Sequence, residues 1–160
     1  MTDPPKLADV GALAEHADRM GIAKALFNGV WGELDRDDRT PDDDARMVHM
    51  AHASCFHWLL AGGPVEAARG EWQCSRVYAT VGRPEPARYH AERCLAICED
   101  NGIADFDIAF AHEAMARAAS VAGDTPARDR HLALARASLD GIADPEDREI
   151  VEADLATIPT

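Results

Sequence analysis

The chain has 160 residues, the length of one domain, and a formal net charge of −13, with 29 Asp and Glu against 16 Lys and Arg. So acidic a chain lacks the basic footprint that nucleic acid and anionic membrane require, and neither is an expected partner. No apolar run approaches the roughly 20 residues of a membrane span, and residues 1–6 carry two prolines and no apolar signal core, so the expected location is the cytoplasm.

Leu7, Val10, Leu13, Ala14 and Ala17 recur at helical spacing and predict a first helix over about 6–20, ended by Gly21. A second is predicted from Ile22 to about Asp37, weakened by Gly29 and Gly32. Thr40-Pro41 followed by Asp42, Asp43 and Asp44 is a helix start. Threonine caps free N–H groups, proline fits the first turn, and aspartates complement the positive end of the dipole. That helix runs to about Ala61 and stops at Gly62-Gly63. Pro64 opens the next, to Val81 and Gly82, and Pro84 opens another, through Asp100 to the stop signal Asn101-Gly102. Asp105 caps a helix from Phe106 to Ala122, Thr125-Pro126 starts one to about Leu139, and Asp144-Pro145 starts a last one to about Thr157. Val, Ile and Thr never alternate over a strand length. The expected class is therefore all-α with eight helices, and short connections make neighbours antiparallel.

The elements repeat. Ala45-Arg46, Ala87-Arg88 and Ala127-Arg128 each follow a turn and a proline, about 40 residues apart, and Trp31 and Trp72 sit on the same repeat. The expectation is one domain over 1–160 with three helix pairs, in units of about 22–61, 64–103 and 106–143. An N-terminal helix precedes them, and a polar cap at 145–157 carries Glu146, Asp147, Glu149, Glu152 and Asp154. Ala87 and Ala127 are expected at the close crossings of paired helices.

These units resemble the tetratricopeptide family. Ser75 stands where that family has a small residue, Tyr78 where it has an aromatic, then come Gly82 and Ala87; Ala116, Ala119, Gly123 and Ala127 play those parts in the third unit. The likeness covers 64–140 well and 22–61 poorly, and the unit is longer than the family's repeat of about 34 residues. The stretches 51–58, 69–72 and 102–107 look like a group of small bacterial tetratricopeptide-like proteins. The resemblance implies an α-α solenoid and brings no reaction with it. The family's clamp for C-terminal carboxylates uses lysine and asparagine, which this chain lacks at those places.

Several constellations could carry chemistry. His49 and His52 share one helix face, and His90, Cys94 and Cys98 another, at spacings that suit zinc or copper. Aligning the units places His49 with Ala91 and His131, and His52 with Cys94 and Leu134, so core packing is the expected role and no metal or other cofactor is expected. Cys55 and Cys74 also lie in helical patterns, as small buried hydrophobes do; Arg76, near Cys74, could lower its pKa. Glu71 and Glu113 could act as paired carboxylates, or each could pair with an arginine, as Glu113 can with Arg117. The run Asp35, Asp37, Asp38, Asp42, Asp43 and Asp44 reads as a solvated loop and cap, without the glycine and distal Glu of a calcium loop. Phe27, Phe56 and Trp58 read as core. No hydrolase elbow, metalloprotease or phosphate-loop motif is present.

The leading expectation is a non-enzymatic binding module. In the repeat register, Arg69, Trp72, Arg76 and Ala79 share the concave side with Phe110, Glu113, Arg117 and Ser120. Three arginines beside two aromatics suit an anion, either a peptide carboxylate or a small anionic ligand. The competing expectation is that Arg69, Arg76 and Arg117 pair with Glu71, Glu113 or Asp107. A different class, an enzyme or metal protein using His, Cys and Glu between helices, is the alternative. A short solenoid exposes apolar end faces, so pairing of two copies through the N-terminal helix or the cap is also expected.

Overall fold

Prolines in the first turn open the helices that begin at Pro41, Pro64, Pro84, Thr125 and Pro145, whereas Asp105, expected to cap the helix from Phe106, is that helix's first residue and takes positive φ. The computed structural model describes residues 16–159. These form α1 (His16–Leu34), α2 (Pro41–Ala61), α3 (Pro64–Thr80), α4 (Pro84–Asp100), α5 (Asp105–Ala122), α6 (Thr125–Ser138), a single 3-10 turn (Leu139–Gly141) and α7 (Pro145–Ala156), with no strand among the described residues. Thr40 and Asp43 cap α2 reciprocally: Asp43 N–H donates to Thr40 Oγ1 at 3.2 Å and Thr40 N–H to Asp43 Oδ2 at 2.9 Å. The Asp124 and Asp144 side chains cap α6 and α7. Gly82, Gly102 and Gly123 take positive φ at helix ends, the conformation that turns the chain out of a helix. No described helix is long and apolar enough to cross a membrane.

Gly21 does not end a helix. α1 runs through it to Leu34, so the helix expected from Ile22 is continuous with the residues before it, and seven α-helices are described rather than eight. One interior glycine costs about 1 kcal/mol relative to alanine. The packed face of α1 outweighs that: Ala23 and Val30 are fully buried, and Ser54 Oγ donates to the Ala23 carbonyl at 2.8 Å. The part of the expected first helix before residue 16 lies outside the described residues.

From α1 to α6 each helix packs on the next in sequence, and the odd-numbered helices also touch one another, α1 on α3, α3 on α5 and α5 on α7. They form an inner row, with α2, α4 and α6 behind it. Small residues set the spacing. A Cβ on Gly70 would stand 2.9 Å from Cys55 Sγ and 3.0 Å from its Cα, so α2 and α3 approach backbone to backbone there. Ala87 is fully buried, and Ser75 Oγ reaches its carbonyl at 2.8 Å. Ala127, expected in the same role, is half-exposed, so the tight crossing belongs to the middle pair. α7 buries Val151 and Leu155, with Ile158 beyond it, on a cluster that includes Ala116, Leu132 and Leu139, and so covers the third pair.

Candidate functional site

Steps of three and four residues turn Arg69, Trp72 and Arg76 of α3 and Phe110, Glu113 and Arg117 of α5 to the inner face, and the structure brings the six together. Their centre is Glu113, which is fully buried. Its Oε2 accepts the Trp72 indole N–H at 3.0 Å, and its Oε1 accepts Arg76 Nη1 at 3.1 Å and Arg117 Nε at 2.6 Å. A buried carboxylate is tolerated when charge partners and hydrogen bonds surround it in this way.

The arginines are engaged from further away too. Arg69 forks onto Asp107 through Nε and Nη2 at 2.8 and 3.0 Å, with its guanidinium 4.9 Å from the centre of the Phe106 ring. Arg76 Nη2 donates to Asp154 Oδ1 at 3.2 Å. Arg117 Nη2 donates to the Asp154 carbonyl at 3.0 Å and to Thr157 Oγ1 at 2.7 Å. Three guanidinium groups thus meet three carboxylates, and the pairing with Glu113 and Asp107 holds while Glu71 takes no part. Ala79 is buried, and Ser120 Oγ donates to the Pro159 carbonyl at 3.0 Å, where the chain's end crosses this face.

Beside this ion-paired block the inner face holds a cavity of about 270 Å³. Phe27 and Trp31 of α1, Trp72 of α3, and Phe106 and Phe110 of α5 supply its rings, Cys94 of α4 lies at its back, and Ile150 of α7 stands at its mouth. Trp72 meets Phe110 edge to face at 5.2 Å and lies 5.6 Å from Trp31. Phe106 meets Phe110 at 6.1 Å and 90°. Ile150 is 57% exposed. Sequence reasoning placed Trp72 and Phe110 here and missed Phe27, Trp31, Phe106 and Ile150. Phe27 does touch the core through Trp58, ring centres 4.9 Å apart, but its other side faces the cavity.

The histidines and cysteines divide. His52 Nε2 and Tyr78 Oη are 2.9 Å apart, Tyr78 stacks on His90 at 5.7 Å, and His90 Nδ1 is 2.6 Å from Glu71 Oε2. Arg93 Nε donates to Glu71 Oε1 at 2.7 Å. Burial pushes the Glu71 carboxyl up, and the bonds from His90 and Arg93 outweigh it, leaving the group below the ordinary carboxylate range. Burial, then the nearby His90, holds His52 below the ordinary imidazole value. His49, expected to face the core, is exposed, although its equivalents Ala91 and His131 are buried, and Leu134 is exposed where its equivalent Cys94 is buried, so the repeat does not keep one burial pattern at these positions. Cys94 and Cys98 are buried on α4. Among the described residues no three His, Cys, Asp or Glu side chains gather in a metal-holding group.

Cys74 is buried, and its hydrogen bond with Cys55, together with burial, pushes its thiol far up. That leaves it a poor nucleophile. Arg76, expected as its activating neighbour, is bonded to Glu113 instead. Glu71 of α3 turns to His90 and Arg93 of α4, whereas Glu113 of α5 turns to Trp72 and Arg76 on the other side of α3, so they form no acid–base pair. The aspartate run caps α2 and binds arginines, with Asp38 on Arg36 at 3.1 Å and Asp44 on Arg39 at 2.9 Å.

No protein-family model matches this chain, and neither a curated protein nor a solved structure does.

Proposed function

We propose that this protein is a non-enzymatic binding module, a tetratricopeptide-like solenoid whose inner-face cavity receives one large apolar side chain of a peptide or protein partner. The observation that carries this reading is where the rings are. The chain has only four Phe, three Trp and two Tyr. Three of the Phe and two of the Trp line this one cavity, while the core around it is built largely of alanine. Solvent-reachable aromatic walls of that kind suit an anchor side chain.

Volume argues for a side chain over a whole metabolite. Small-molecule sites commonly span about 300–1,000 Å³, and 270 Å³ falls below that range. Charge argues against an anion as the primary ligand. An incoming carboxylate would have to displace Asp107, Glu113 or Asp154 from arginines that they already satisfy, stranding a buried charge.

Selection of random linear peptides displayed against the protein tests this. The expected winners share a large apolar residue, and Trp31→Ala or Ile150→Ala weakens them about tenfold, as loss of an interface anchor does. Winners without such a residue, or winners bound equally by both variants, refute the cavity as the site.

A further inference from the structure

The cavity has an acidic mouth, and we infer that its partner presents the apolar anchor beside lysine or arginine. This deepens the reading of the cavity as a binding site and rests on it. Ile150, exposed at the mouth, has Glu146, Asp147 and Asp154 three or four residues away on the same face of α7. Asp154 is bonded to Arg76, but neither Glu146 nor Asp147 is ion-paired to any described residue. The one basic residue of α7, Arg148, is turned to Glu152 at 3.1 Å and Asp140 at 3.6 Å.

Across the mouth, Lys24 of α1 stands near Glu66, and Arg69 is held by Asp107 through two hydrogen bonds. Glu66, one turn before it on α3, and Asp147 both lie within its field. The local balance is therefore negative, on a chain whose net charge is −13. A potential of one sign around an apolar recess attracts a basic segment from a distance and repels an acidic one. Apolar contact then supplies affinity and the flanking charge supplies selection. The same field disfavours a second copy of this acidic chain as the occupant.

The probe is an anchor-bearing peptide from the selection above, made with lysine, serine or glutamate flanks and titrated against the full chain. The lysine form is expected to bind about tenfold tighter than the glutamate form at low ionic strength, with the gap closing as salt is added. E146K/D147K, two exposed or half-exposed positions in the first turn of α7, is expected to reverse that order with the fold retained and the melting temperature lowered by a few degrees, because lysine opposes the positive end of the helix dipole there. Equal binding of the three peptides, or an order that the double substitution leaves intact, overturns the acidic-mouth inference. If Trp31→Ala still weakens all three peptides in that case, the cavity reading survives; if it weakens none, both fall.

Discussion

Trp72 donates its indole N–H to Glu113 Oε2 across 3.0 Å while its ring forms a wall of the inner cavity. One side chain thus ties the binding surface to the ion-paired block behind it. Because α3, α5 and α7 all contribute to that block, the cavity walls are held by the same bonds that hold the fold.

Removing Glu113 should therefore be severe. Glu113→Ala leaves the buried Arg117 and the half-buried Arg76 without their shared counter-charge. Breaking a buried pair from one side costs about 3–5 kcal/mol. Urea unfolding should show a loss in that range, and a loss under about 1 kcal/mol, within the span of exposed pairs, would contradict the burial described for this group.

Two glycines should answer in opposite directions. Gly21 lies inside α1 with open space where a Cβ would stand, so Gly21→Ala should stabilise by about 0.5–1 kcal/mol. Gly70→Ala must push α2 and α3 apart at the Cys55 backbone and should cost about 1–3 kcal/mol. Denaturation midpoints decide both. Destabilisation by Gly21→Ala would restore the helix break that the sequence suggests.

That break shows where sequence reading stops. Helix starts at Thr40-Pro41, Pro64, Pro84 and Thr125-Pro126 were legible because caps and prolines act over a few residues. The shared face of Arg69, Trp72, Arg76, Phe110, Glu113 and Arg117 was legible from helical periodicity. The ends of its arginines were harder. Asp107 and Glu113 stood among the expected partners, but Asp154 did not: it lies 78 residues from Arg76, a contact that only the return of α7 creates. The cavity's other rings had a usable signal: Phe27 and Trp31 are four residues apart, and Trp31 already aligned with Trp72 in the repeat. Gly21 misled because a glycine's local preference is weak against the packing of a long helix face.

Acid should loosen the third pair. His112 on α5 and His131 on α6 face each other through Nδ1 atoms 3.2 Å apart, and His131 Nε2 is 3.3 Å from Arg130 Nη2. One proton can bridge the two Nδ1 atoms, but two cannot fit between them. Burial holds both rings below the ordinary imidazole value; His112 and the cations Arg130 and Arg88 push His131 further down, and only Glu99 opposes this at His112. Folded pKa values below the unfolded one mean that stability is full above about pH 6.5 and falls as pH drops through that value toward the folded ones. Melting temperature should decline from pH 7 to pH 5, and less steeply in His112→Gln. A flat profile, or the same slope in both proteins, would contradict the neutral pair.

The most direct test follows the indole N–H signals of Trp31, Trp58 and Trp72 by NMR while N-acetyl-phenylalaninamide, a neutral apolar probe, is added. Trp31 and Trp72 line the cavity, and Trp58 is buried behind Phe27. The expected result is saturable shifts at Trp31 and Trp72, little change at Trp58, and a higher half-saturation concentration in Ile150→Ala. Shifts that never saturate, or that are equal at all three indoles, would contradict a cavity that receives an apolar side chain.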